Sequence, residues 1–193
     1  FSAYVLTYRI IYCIYFLKSK RILKLFIMKN ARELAINLYA GNVWETFLSH
    51  FKFWEEPYEV VNTMLPQQGT ITELGCGEGL LTNYLAISSA KRKIIGYELV
   101  SERMNIAKKG IKNTAYYVGD IVKIPYPKSD ALILFHVLHH LPSKNAQEEV
   151  LKKVKKYLKK NGKLVIVDVH VTPTLKYIAA WIADNFLVPW VFE

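Results

Sequence analysis

ITELGCGEGLL, residues Ile71 to Leu81, sets three glycines at alternate positions directly behind a short apolar run, with Glu73 two residues ahead of the first. Glycine removes the side chain where a chain must take positive φ or let a ligand approach its backbone. The apolar run reads as a strand, and the residues from Leu80 onward read as the start of a helix. A helix start offers unpaired N–H groups and the positive end of its dipole. A strand, a glycine loop and a helix in that order make the ligand-holding corner of an open α/β sheet.

Outward from this corner the pattern repeats. Strands are expected over Thr70–Leu74, Lys93–Leu99, Ala115–Val118, Ala131–Phe135 and Lys163–Val169. Helices are expected from Lys29 to about Leu48, from Phe53 to Leu65, from Leu80 to Ala86, and from Glu102 to Lys109. A longer helix reads from Ser143 to Lys160, with Asn161-Gly162 as its stop. The strands are mostly continuous apolar runs, as in a parallel sheet covered on both faces. Right-handed crossovers then make the fold class α/β, a doubly wound, mostly parallel sheet. Residues 1–55 read as an N-terminal helical extension, basic and apolar, and 56–193 as the ligand-binding domain.

The loop does not suit phosphate. A dinucleotide fingerprint needs G-x-G-x-x-G, and its third glycine is here Leu80. A P-loop would end in Gly-Lys-Ser or Gly-Lys-Thr, which is absent. Glu73 and Glu78 make the loop acidic, which favours a ligand carrying an ammonium and a sulfonium. Glu98 closes the second strand, where a carboxylate can accept both hydroxyls of a ribose. Asp120 follows the third strand, and an adenine amine is a natural partner for it.

Taken together these motifs resemble those of the class I S-adenosylmethionine-dependent methyltransferases. ELGCGEG resembles the family's first motif, GYELV the second and GDIVKIP the third. DALILFHVLHHL, Asp130 to Leu141, is similar to the fourth strand and the segment after it, and VKKYLKKNGKLVIVDV to the next helix and strand. The likeness covers about Tyr58 to Val169. It implies a Rossmann-like methyltransferase fold, S-adenosyl-L-methionine as cofactor, and methyl transfer as the activity. It implies a cofactor site of Glu73, Gly75, Cys76, Gly77, Gly79, Glu98, Leu99, Asp120, Ile121 and Phe135, with Glu73 near the cofactor's ammonium. Family sheets usually end with two further strands, so a chain stopping at Glu193 reads as a fragment, with its fifth strand left as an edge. A nicotinamide-dependent oxidoreductase on the same layout, and a non-catalytic cofactor-binding module at a membrane, are the alternatives.

Methyl transfer needs positioning, and a general base when the acceptor is a hydroxyl or a carbon acid. His136, His139 and His140, just past the fourth strand, are the candidates. No Cys or carboxylate pattern accompanies them in sequence, so no metal is expected. His50 and His170 read as ordinary surface or capping residues. The (Asp/Asn)-Pro-Pro-(Tyr/Phe) signature of members acting on base or glutamine amino groups is replaced by Phe135-His136-Val137-Leu138. A small-molecule, quinone or lipid-like acceptor is the expectation, and nucleic acid is disfavoured.

The formal charge of +10 does not overturn this. Arg9, Lys18, Lys20, Arg21 and Lys24 lie in the first 27 residues, and a second cluster from Lys152 to Lys163 interleaves with apolar residues as on a solvated helix face. Phe1 to Leu17 is apolar but for Arg9 and short for a membrane span. It reads as a membrane-surface segment or as translated upstream sequence before Met28. The apolar tail, Thr174 to Phe192, reads either as cover for an apolar acceptor or as packing on the sheet edge. Two distant cysteines, Cys13 and Cys76, imply no disulfide framework and fit a reducing compartment, the cytoplasm, with the membrane surface left open.

Overall fold

The apolar runs pair side by side. A computed structural model describes residues 2–6 and 30–168. Its strands are β1 (Ser2–Leu6), β2 (Gly69–Leu74), β3 (Arg92–Glu98), β4 (Thr114–Val118), β5 (Ser129–Phe135) and β6 (Leu158–Val167). They form one sheet in the order β1-β6-β5-β2-β3-β4, parallel throughout. The helices are α1 (residues 30–37), α2 (Val43–Glu55), α3 (Tyr58–Met64), α4 (Leu80–Ser88), α5 (Ser101–Ala107) and α6 (Lys144–Tyr157).

Alternate strand residues feed two cores, because successive side chains leave opposite faces of a sheet. Ile71, Ile94, Ala131, Ile133 and Val165 pack with Ala31, Ile36, Phe53, Val61, Tyr84 and Leu85 on one face. Ile95, Leu132, Leu134 and Leu164 pack with Val150, Val154 and Tyr126 on the other. Ala31, Ile36 and Phe53, from the stretch expected to be an extension, thus share the core of the sheet.

Three details differ from the sequence reading. Ser2–Leu6 is strand, not helix, and its backbone runs parallel to β6 with Ala3 opposite Leu164. The edge expected to be bare is therefore paired. The first long helix is divided at Ala40-Gly41-Asn42, and α2 runs on through the break expected near Leu48. The long basic helix ends at Tyr157, because Leu158 turns extended and buries its side chain in the second core. Asn161, at φ +65°, and Gly162 lie in an irregular stretch of β6, not at a helix stop. The expected readings of Cys13, residues 7–29, His170 and Thr174–Phe192 lie outside the described residues. No helix among the described residues is long and apolar enough to cross a membrane.

The basic cluster is partly tied down. Lys153 Nζ donates to the carbonyls of Val122 and Ile124, Lys159 pairs with Asp130, and Lys163 Nζ donates to Met64 O.

The division at Gly41-Asn42 has a local cause. Asn42 Oδ1 accepts from Glu45 N at 2.9 Å, and Glu45 Oε2 accepts from Gly41 N at 3.0 Å, a reciprocal cap at the start of α2. Asn42→Ala is expected to cost about 1 kcal/mol, read as a melting temperature lower by roughly 2–4 °C.

Candidate functional site

β2, β3 and β4 are neighbours, so their carboxyl ends form one continuous rim. The glycine loop sits on that rim. Gly75 N and Cys76 N both donate to Tyr97 O, at 2.8 and 2.9 Å, which folds the loop back over β3. Gly75, Gly77 and Gly79 all have positive φ, but space around them differs. A methyl group on Gly79 would lie 2.7 Å from Ala107 Cβ and 3.0 Å from the Tyr116 hydroxyl, so that glycine lets α4 pack on α5. One on Gly77 would meet no atom within 4 Å. Gly77 is where the loop opens outward.

Glu73 lies on the same face of β2 as Ile71, beneath α4, and is buried. Its carboxylate accepts a short hydrogen bond from the Thr82 hydroxyl. Burial, with Glu98 nearby, pushes its pKa up to about 8, against the pull of Thr82. Glu98 Oε2 accepts from Gly77 N at 2.9 Å, while Oε1 accepts from Leu99 N and Val100 N at 2.9 and 3.0 Å. A carboxylate has about four lone-pair sites, so one remains on Oε2. Asp120 Oδ1 accepts from Val122 N, which holds its pKa below the usual range, and Oδ2 faces Lys123 Nζ at 3.2 Å.

The other expected side chains serve the frame. Cys76 turns inward against Gly96, Met104 and Ala107, so only its backbone faces the loop, and burial raises its thiol pKa. Ile121 is in the second core and Phe135 in the first, whereas Leu99 is exposed.

A polar brace not legible in the sequence fixes the loop from outside. Tyr39 Oη donates to Glu78 O and accepts from Asn83 Nδ2, both at 2.7 Å, and Tyr116 Oη donates to Asn83 Oδ1 at 2.8 Å. Burial raises both phenols above their ordinary pKa. Helix α2 crosses the same region: Lys52 acts electrostatically on Glu78, and Glu56, just after α2, meets His136.

The histidines gather at the ends of β5 and β6. His136, at φ +53°, has its Nε2 2.9 Å from Glu56 Oε2. His139, on the 3₁₀ turn Leu138–His140, has its Nδ1 2.5 Å from Asp168 Oδ1. The His140 ring centroid is 3.9 Å from that of His139. Two carboxylates therefore accompany the histidines, contrary to the sequence reading. They come from positions 56 and 168, too remote in the chain for spacing to reveal. His50 is exposed, as expected.

A family model described as a methyltransferase domain matches residues 72–166. The chain carries a class I S-adenosylmethionine-dependent methyltransferase domain. An uncharacterized methyltransferase of Schizosaccharomyces pombe is 31% identical over 127 residues, which is 65% of this chain and 43% of that protein. The demethylmenaquinone methyltransferase of Thermotoga maritima is 25% identical over 142 residues, 72% of this chain and 59% of that one. A TehB-like S-adenosylmethionine-dependent methyltransferase from Corynebacterium glutamicum superposes with a TM-score of 0.52 at 19% identity, over 76% of this chain and 72% of that one. The last likeness concerns the fold alone. The chain spans about half the length of the curated relatives it matches.

Proposed function

We propose that the chain binds S-adenosyl-L-methionine over the glycine loop and transfers its methyl group to a small, apolar acceptor. The outward opening at Gly77, whose N–H is held by Glu98 in a loop that follows the buried acid Glu73, carries this reading. A cationic ligand suits an acidic cradle of Glu73, Glu78 and Glu98, and a phosphate does not. Glu73 would answer the cofactor's ammonium, and the main chain of Gly75–Gly79 would lie along its methionine part. Glu98 Oε2 has room for one ribose hydroxyl as it stands. Accepting two would require releasing Gly77 N. Asp120, beyond β4, would take the adenine side. When bound, the cofactor supplies an activated methyl group, so the protein's work is alignment and exclusion of water.

The acceptor reading draws on α2. Trp44, Phe47, Phe51 and Trp54 form a ladder along that helix, with successive ring centroids 5.6, 6.3 and 5.6 Å apart. The same helix brings Lys52 towards Glu78 and Glu56 to His136. An apolar acceptor would slide along the ladder towards the histidines. Where its nucleophile is a hydroxyl or a carbon acid, the cluster of His136, His139 and His140 would orient it, with His140 or Glu56 taking its proton. The name of the distant Thermotoga maritima relative, a demethylmenaquinone methyltransferase, points to the same class of acceptor. An oxidoreductase fits less well, since Leu80 at the third fingerprint position packs against the first core.

S-adenosylhomocysteine at about 100 times its Kd is expected to add roughly 2.7 kcal/mol to stability, and NAD nothing. Incubation with labelled S-adenosylmethionine and quinol or lipid extracts should then give a methylated product by mass spectrometry. A melting curve moved by NAD and not by S-adenosylhomocysteine would overturn the reading.

A further inference from the structure

We propose that His136, His139 and Asp168 form a binding centre for one divalent first-row transition ion, with Glu56 beside it. One ligand atom from each of the three lies within 4.8 Å of the others, the only such grouping of His, Cys, Asp and Glu among the described residues. Ligands at about 2.0–2.2 Å from a single ion stand at most roughly 4.4 Å apart, so the group is a few tenths of an ångström wide of a closed set, and His139 Nδ1 and Asp168 Oδ1, 2.5 Å apart without an ion, would part to admit one.

Backbone order places these groups. β5 and β6 pair with Phe135 opposite Val167, so His136 and Asp168 follow neighbouring strand ends. His136 N donates to Val167 O at 2.8 Å. Gln147 Nε2 donates to Leu138 O at 2.9 Å, which ties down the turn bearing His139. His136 holds a left-handed backbone that non-glycine residues seldom adopt, a form of strain that gathers at functional sites.

The donor set selects the ion. Two imidazoles with a carboxylate suit zinc, iron, cobalt or nickel, and are poor company for magnesium or calcium. The side chains of His139 and Asp168 are 39% and 26% exposed, so a bound ion would keep positions open to solvent. Open positions mark a catalytic rather than a structural site. Val137, between His136 and the turn, packs against Gly75: its Cγ2 would lie 2.5 Å from a methyl group placed there. The centre therefore adjoins the glycine loop. Its open position would take an oxygen donor of the acceptor, a hydroxyl or enol that binding makes more acidic. That last assignment rests on the methyl-transfer reading, whereas ion binding does not.

The full chain, stripped with chelator, would be titrated with Zn²⁺ by calorimetry, and with Co²⁺ while visible absorbance is recorded. One zinc per chain is expected, with Kd about micromolar or tighter, and cobalt bands showing nitrogen ligation. His139→Ala and Asp168→Asn should each weaken zinc binding at least as much as the roughly hundredfold that loss of an outer-shell partner can cost. Both should bind S-adenosylhomocysteine within about threefold of the parent, which reports that they fold. No stoichiometric zinc uptake by a chain that binds S-adenosylhomocysteine would overturn the proposal, and so would uptake that both variants retain. Zinc uptake abolished by the variants, in a chain that ignores S-adenosylhomocysteine, would uphold the centre and remove the methyl-transfer reading.

Discussion

Gly77→Ala is expected to weaken S-adenosylhomocysteine binding by roughly tenfold to a hundredfold, the equivalent of an overpacking penalty of about 1–3 kcal/mol. The added methyl group meets nothing in the free protein, and on the proposed reading it would stand in the space assigned to the ligand. The fold should lose only the cost of left-handed backbone at φ +54°, about 1–2 kcal/mol, or roughly 2–8 °C in melting temperature. Gly79→Ala reverses the pattern. Its methyl group would press on Ala107 and the Tyr116 hydroxyl, besides straining φ +76°. The expected loss is about 2–5 kcal/mol, with a fall of roughly 5–15 °C. Calorimetric binding and thermal melting on both variants separate the two effects. Binding by Gly77→Ala equal to that of the parent would place the ligand elsewhere.

Cofactor affinity is expected to rise as pH is raised from 6 towards 8, by up to about tenfold per unit, and to level off above. Glu73, with its pKa pushed up to about 8 by burial, is protonated in the free protein near neutrality. An ammonium beside it favours the ionised form, so binding releases a proton there. Glu73→Gln should flatten this profile and leave affinity at the low plateau. Stability without ligand runs the other way. A carboxyl whose folded pKa is raised binds its proton more tightly in the native state. Its stabilising contribution is complete below the ordinary carboxyl range near 4.5 and is lost as pH rises through about 8. Melting of the ligand-free chain should therefore decline over that window, and Glu73→Gln should lack this part of the decline. A parent protein whose affinity is level from pH 6 to 8 would remove Glu73 from the ligand's neighbourhood.

The rim of the sheet was legible because it is local. ELGCGEG, Glu98 and Asp120 each stand at the end of an apolar run, and strand order then sets them side by side. What each side chain does was less legible. Spacing pointed Glu98 towards a ribose but did not reveal the three backbone N–H groups, of Gly77, Leu99 and Val100, that hold its carboxylate. Cys76 lies inside the motif, yet packs inward where Gly96 makes room. The helix boundaries near Ala40 and Tyr157 were misplaced for a related reason. A reciprocal Asn42–Glu45 cap and the burial of Leu158 outweighed the apolar periodicity that runs through both points.

By itself the sequence determined the alternation of strand and helix, the parallel sheet and the glycine corner, since periodicity, glycine placement and terminal acids act over a few residues. Only the tertiary structure decided that Tyr39 braces the loop, that Ser2–Leu6 lies along β6, and that Glu56 and Asp168 join the histidines. Glu56 and His136 are 80 positions apart. A meeting at that distance is set by how whole helices and strands pack, and packing leaves no mark in the local spacing of residues.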